Sequence, residues 1–200
     1  MTGFFLFLFI IAVTGGVTWY LRRRRPTHLS IIEVLRQVVA RLGLQKVEWR
    51  QMPFPLVKGV YFHYPIHVEG FWKKGYGFRM GILLPEFLED RIFLQSEDRN
   101  ASLRPIATLT LAHTEDPEFD RNYMLCSDNP RLARALFHPH LCGRIRSLGV
   151  GSLRLEIHGK EAILEMTMPT LQAEPLARWI EILAEITATL ETVLEVSQFR

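Results

Sequence analysis

The feature that most constrains this chain of 200 residues is an apolar run at its N-terminus. Residues 4–21 carry no charged side chain, and the first arginine of the chain follows directly after them. As an α-helix these eighteen residues would be about 27 Å long, which matches the hydrocarbon thickness of a bilayer. The sequence therefore predicts a transmembrane anchor over residues 1–21.

Four arginines and two aromatic rings at the end of the run predict its orientation. Aromatic rings favour the headgroup layer, and cationic residues next to a span stay on the cytoplasmic side. A cleavable signal peptide carries its positive charge before the apolar run, so this order favours an uncleaved signal-anchor. We therefore expect a single-pass protein of the bacterial inner membrane, with its N-terminus outside and its remaining domain in the cytoplasm. The residues predicted to set this topology and face the lipid are Trp19, Tyr20, Arg22, Arg23, Arg24 and Arg25.

The charge balance argues against binding to nucleic acid. The chain has 24 Lys and Arg against 21 Asp and Glu, a net charge of +3. The arginine cluster lies in a basic juxtamembrane linker, residues 22–29, and without that cluster the chain is slightly acidic. A protein that neutralises phosphates would show a basic surplus in its folded part. The two cysteines, Cys126 and Cys142, are too few for a disulfide-dense secreted scaffold and suggest a reducing compartment.

The remaining residues, 30–200, read as one α+β domain in which helices cover an antiparallel meander sheet. A capping box at Ser30 and Glu33 opens a helix that Gly43 is placed to end. Short strands without intervening helices favour antiparallel pairing. The predicted strands are 47–50, two within 57–71 that turn near Tyr64, 76–84, 91–95, 106–113, and a hairpin of 152–158 with 162–168. The predicted later helices are 130–136 after a cap at 128–129, 139–149 and 175–196.

The last helix has a broad apolar face over more than five turns. Two interpretations of this face stay open: it covers the sheet, or it forms a coiled-coil contact with a partner or a second copy. The residues of this possible interaction helix are Leu176, Trp179, Ile180, Leu183, Ile186 and Leu190.

Two clusters of polar residues are candidates for chemistry. The acidic turn at 115–121 contains Asp116, Glu118, Asp120 and Arg121, and clustered carboxylates can bind a hard cation or a small ligand. The segment His138 to Cys142 has residue types that bind zinc, but its spacing matches no zinc motif. Phosphate-binding, nucleophile-elbow and metalloprotease motifs are absent from the sequence. We therefore predict no catalytic residue, no metal and no cofactor.

Three short stretches resemble a diffuse family of uncharacterised bacterial proteins. They are Leu56–Tyr61, Asp116–Arg121 and Ala133–Phe137. The family shows a G-x-Y-x-G-R-P-V strand, a D-P-E-F-D-R turn, an A-R-x-L-L-x-P helix and a closing helix. This chain departs from the first motif, because His63–Ile66 stands where G-R-P-V would be. Over residues 56–190 the resemblance implies a bacterial origin and a common fold, and the family has no assigned activity.

These observations favour a membrane-tethered, non-enzymatic interaction module, such as an accessory subunit of a larger membrane complex. Its expected partners are the membrane and either a protein or a second copy of the chain. The alternative is an enzyme or small-ligand sensor that uses the acidic turn at 115–121.

Overall fold

The computed structural model describes residues 30–51, 54–72, 76–96, 108–148 and 152–198. These residues form a mixed α+β domain with a large antiparallel sheet and helices, which confirms the predicted fold class. The strands are β1 Gln45–Arg50, β2 Leu56–Tyr61, β3 Tyr64–Trp72, β4 Tyr76–Ser96, β5 Thr110–Leu111, β6 Tyr123–Ser127 and β7 Ser152–Met168. The helices are α1 at 30–42, α2 Pro117–Asn122, α3 Pro130–Leu136, α4 Pro139–Ser147 and α5 Ala173–Gln198.

The first turn of helix α1 packs closely against the sheet. The chain leaves the helix at Gly43, whose φ of +61° is readily adopted only by glycine. Near the other end of the helix, a Cβ added at Gly70 of β3 would lie 2.3 Å from Cγ2 of Ile31. The missing side chain at Gly70 therefore lets α1 approach the sheet closely.

The sheet is a meander only through its first four strands. Its order is β1-β2-β3-β4-β6-β5, and β7 also pairs with β4. Strand β4 pairs with β3 through its first half, with β6 through its last five residues, and with β7 along both halves. The predicted simple meander is therefore wrong for the second half of the chain, because sequence order does not reveal that β7 returns to β4.

Strands β4 and β7 both fold back near their middles. The backbone N–H of Ser152 donates to Oγ1 of Thr167 at 3.1 Å, whereas fifteen residues of straight strand would span about 50 Å. Strand β7 must therefore reverse direction near Gly159, which has φ +65°. This reversal lies where the sequence predicted a hairpin, although Gly159 remains in the strand because it pairs with Leu88.

Other elements differ from the predicted boundaries. The two segments predicted at 76–84 and 91–95 belong to one strand, β4, whose register shifts between Leu83, Leu88 and Ile92. The turn between β2 and β3 lies at 62–63, directly before the predicted position at Tyr64. Within the described part of the predicted strand 106–113, only Thr110–Leu111 is strand, and the predicted acidic turn contains the short helix α2.

Helix α5 covers the sheet and contributes to the larger of the two hydrophobic clusters of the described residues. All six residues of the possible interaction helix, from Leu176 to Leu190, are buried in the domain itself. They are therefore unavailable to a partner, and the covering interpretation replaces the coiled-coil one. The apolar face of the helix is broad because it packs against β4 of the sheet and against α3 and α4.

The predicted anchor and linker, including the two aromatic rings and four arginines, lie outside the described residues. Among the helices that the structure describes, none is long and apolar enough to cross a bilayer. The membrane span therefore remains a prediction from the sequence.

Candidate functional site

The sheet has two ends that differ in what they expose. We call the end at which the described chain begins the proximal end, because Ile31 contacts Gly70 there. We call the opposite end the distal end. The proximal end contains the end of β1, the start of β2, the end of β3, the start of β4 and the end of β7. The distal end contains the β2–β3 turn, the bend of β4 and the reversal of β7.

The distal end exposes three large apolar side chains, which we call the distal patch. Phe62 is 75% exposed at the β2–β3 turn, while Leu83 and Phe87 in the bend of β4 are 46% and 59% exposed. The strand register places these positions at one end, since Tyr61 pairs with Tyr64 and the next strand pair begins at Ile66 with Ile82. Exposed apolar groups that share one end of a domain mark a candidate interaction surface.

Local contacts hold the two phenyl rings of the distal patch at the surface. The ring of Phe62 meets the ring of Tyr61 edge-on at 4.6 Å between centroids, and its φ of +54° is unusual for a residue with a side chain. The ring of Phe87 meets His158 at 6.4 Å, next to the reversal of β7. Both rings are therefore displayed by turns whose geometry the sheet fixes.

The surroundings of the distal patch are acidic. The segment 83–90 contains Glu86, Glu89 and Asp90 and no lysine or arginine, while Arg91 follows it directly. The reversal of β7, opposite this segment, adds Lys160 and Glu161, so the carboxylates outnumber the basic side chains at this end. On the neighbouring helix α5, Glu191 accepts a hydrogen bond from the hydroxyl of Tyr64 at 2.6 Å. Burial, followed by this hydrogen bond, raises the pKa of the Tyr64 phenol. The hydroxyl therefore stays protonated and continues to donate to the Glu191 carboxylate.

The acidic turn at 115–121 is used to build the domain. Asp116 caps helix α2 by accepting from the backbone N–H groups of Glu118 and Phe119, both at 3.0 Å. Asp120 accepts from the N–H and hydroxyl of Thr114. Arg146 of α4 forms ion pairs with Asp116 and with Glu118.

These contacts do not assemble a ligand site. Glu118 and Arg121 are exposed, and the four predicted residues line neither of the two cavities described below. Helix capping and ion pairing account for the positions of these charged side chains, and Phe119 is buried beneath them.

Replacing Asp116 with alanine is expected to lower the free energy of unfolding by about 1–2 kcal/mol, the usual cost of losing an N-cap. The change also removes one ion pair of Arg146. Chemical denaturation followed by circular dichroism measures the effect. Glu115→Ala, which alters the exposed carboxylate one position earlier, is the matched control and should change stability little. Equal effects of the two substitutions would contradict the capping role.

The segment His138 to Cys142 takes part in helix capping and packing. Within the described ranges, no three His, Cys, Asp or Glu side chains are grouped so that they could hold a metal ion. His138 instead caps helix α4, because its Nδ1 accepts from the N–H of Leu141 at 3.3 Å. Cys142 is buried, its thiol donates to the carbonyl of Phe137, and burial raises its pKa to about 12. This thiol is therefore a poor ligand and a poor nucleophile.

Residues of these two clusters line neither of the two cavities. A cavity of about 690 Å³ opens at the proximal end, and its lining includes Ser30, Ile32, Tyr76 and Leu171. A smaller cavity of about 240 Å³ lies between α4 and α5, beside Arg144 and other charged residues. Arg144 is already paired with Glu181 and Glu185, so its charge is balanced within the domain.

Comparison with known proteins identifies one similar structure and no family. No family model and no curated protein matches the sequence, so the resemblance to the uncharacterised bacterial family stays a prediction. The crystal structure of the mycobacterial trehalose monomycolate transport factor A, TtfA, is similar in fold. The TM-score is 0.51 at 9% sequence identity, and the match covers 74% of this chain and 75% of that one. At this identity the likeness concerns the fold alone.

Sequence reasoning missed the distal patch. Phe62 lies between aromatic and β-branched residues that read as strand, and Phe87 lies in what reads as a gap between two strands. The available signal was the segment from Leu83 to Asp90, in which apolar and acidic residues surround Pro85. Only the fold shows that this segment and Phe62 lie at the same end.

Proposed function

We propose that the protein is a membrane-tethered, non-enzymatic interaction module that serves as an accessory subunit of a larger membrane complex. The distal patch is the surface that binds the partner protein. The observation that carries this proposal is the exposure of Phe62, Leu83 and Phe87 at the end of the domain opposite to its first described residue.

The separation between the two ends suits this role. From Tyr76 to Leu84, one strand of the sheet spans about 26 Å. A tether that enters at the proximal end would leave the distal patch free to meet a partner. Two phenyl rings held by turns can fill apolar pockets of a partner, and buried aromatic anchors commonly dominate the binding energy of interfaces.

The acidic surroundings favour a partner with a basic surface. Glu86 and Glu89 flank Phe87 and are both exposed. Complementary charges accelerate association and suppress wrong partners, even where they add little affinity. Anionic lipid would be repelled by the same carboxylates, which favours a protein as the binding partner of this end.

The fold comparison is compatible with an accessory role in transport. TtfA is described as a transport factor, and its fold resembles this one. The likeness supports no substrate for this chain. An enzyme or ligand sensor built on the acidic turn has less support, because its carboxylates cap a helix and pair with Arg146.

Site-specific photocrosslinking in native membranes tests the proposal. A photoreactive phenylalanine derivative replaces Phe87 in the full-length chain, and a matched variant carries it at Leu111, which is 51% exposed on strand β5. We expect position 87 to form a crosslink with one protein, at a peptide rich in lysine and arginine. Position 111 should not crosslink to that peptide.

The variant Phe87→Ser separates binding from folding. Phe87 is exposed, so its loss should leave the thermal stability nearly unchanged while the complex with that crosslinked protein is lost on native mass measurement. A strict monomer in detergent, with crosslinks at position 87 only to lipid or to none, would overturn the proposal. Crosslinks from 87 to a second copy of this chain would replace the partner protein with a homo-oligomer.

A further inference from the structure

Two other exposed aromatic residues lie at the proximal end. Trp49 near the end of β1 is 41% exposed, and Phe54 in the loop after β1 is 47% exposed. Phe54 directly precedes Pro55, whose carbonyl accepts a hydrogen bond from the N–H of Gly70 at 2.9 Å. Since Gly70 is the residue that α1 contacts through Ile31, both aromatic residues lie near the start of the described chain.

The predicted tether brings this end close to the bilayer. If the span ends at Leu21, eight residues separate it from Ser30, and they can reach at most about 28 Å when fully extended. The same limit applies to every group beside Ser30, while the distal patch lies a further sheet length away. The tether is therefore attached at the proximal end, which is the end of the domain that it holds nearest to the headgroups.

The charges beside the aromatic residues permit such contact. Arg50 lies 3.9 Å from Glu69, and Arg36 lies 3.8 Å from Glu33, so both arginines are paired. Glu48, the exposed neighbour of Trp49, lies opposite Lys58 in the register of β1 and β2. The open cavity of the proximal end has apolar lining from Ile32 and Leu171, next to these pairs.

We infer that the proximal end of the domain rests on the membrane that holds the anchor, with Trp49 and Phe54 in the headgroup layer. Tryptophan and other aromatic rings favour this layer, because their apolar bodies leave water while polar groups remain hydrated. The contact orients the sheet with the distal patch away from the lipid. The inference rests on the tether of the proposed function and adds a second attachment to it.

Spin labelling of the full-length protein in lipid nanodiscs tests this inference. Single cysteines replace Trp49 or Phe54 at the proximal end, and Phe62 or Phe87 at the distal end as matched aromatic controls. The native Cys126 and Cys142 are buried, and burial raises the pKa of both thiols, so the reagent should label the introduced sites. The relaxation of each label is measured with a nickel-chelating lipid in the headgroup layer.

Labels at 49 and 54 are expected to relax several-fold more strongly with the nickel lipid than labels at 62 and 87. Equal relaxation at all four sites, or stronger relaxation at 62 and 87, would overturn the inference while leaving the tether intact. Failure of the unlabelled protein to enter nanodiscs would instead remove the tether, and with it both proposals. The two failures are therefore distinguishable.

Discussion

Replacing Trp179 with alanine is expected to lower the free energy of unfolding by about 3–5 kcal/mol, the range for truncating a large buried aromatic residue. Trp179 is fully buried in α5 and belongs to the main core. Denaturation of the full-length protein in detergent, followed by far-ultraviolet circular dichroism, measures the loss. A loss below about 1 kcal/mol would mean that the helix is not part of the core.

The conservative variant Trp179→Phe provides the control. Within the described residues, the indole N–H of Trp179 is buried and has no hydrogen-bond partner. Leaving such a group unpaired costs about 1–3 kcal/mol, which the phenyl ring of the variant would not incur. The phenylalanine variant should therefore be much closer to wild type than the alanine variant. If α5 were instead a partner interface, both variants would change assembly while leaving the stability of the monomer unchanged.

Placing two arginines in the apolar run is expected to release the protein from the membrane. Ala12 and Val13 lie at the middle of the predicted span, where each arginine costs about 2.5–3.5 kcal/mol on the insertion scale. The double variant Ala12→Arg with Val13→Arg should move from the carbonate-resistant membrane fraction to the supernatant. This effect is large because the sequence contains no second apolar run of similar length that could hold the protein in the membrane instead.

The matched control keeps the run apolar. Ala12→Leu with Val13→Leu changes the same positions and should remain carbonate-resistant. Retention of the arginine variant in the membrane after carbonate treatment would show that residues 4–21 are not what holds the chain there.

Local signals predicted helices and turns well. Gly43 ends α1, proline follows the caps Asn129 and His138 at the starts of α3 and α4, and Gly159 marks the reversal of β7. Each of these features depends on the conformational preference of one residue or on a short-range hydrogen bond. Such preferences can be recognised from a few consecutive residues of the sequence.

Pairing between distant strands could not be predicted in the same way. The bend of β4 reads as a gap between two strands because Pro85, Glu86 and Glu89 interrupt the apolar pattern. It stays in one strand because Leu88 pairs with Gly159, which is about seventy residues later in the chain. For the same reason, the six apolar residues of α5 could be assigned to core or interface only after the sheet beneath them was known.

The candidate surface depended on this tertiary information as well. Sequence composition identified the acidic turn, whose residues turned out to cap α2 and pair with Arg146. Exposed phenyl rings have no such signal, since the same residue types form most of the core. Exposure becomes visible only when the turns that display Phe62 and Phe87 are placed in the sheet.

The return of β7 to β4 also governs how the domain can form during synthesis. Both halves of β4 lack their β7 partner until residues 152–168 have left the ribosome, and α5 follows later still. Contacts with this large sequence separation slow folding, and strand edges that wait for a partner are prone to aggregate. At a synthesis rate of about 5–20 residues per second, several seconds pass between the synthesis of β4 and that of β7. A nascent chain that already carries a membrane anchor would spend that interval held at the bilayer, where it is kept apart from other unfinished copies.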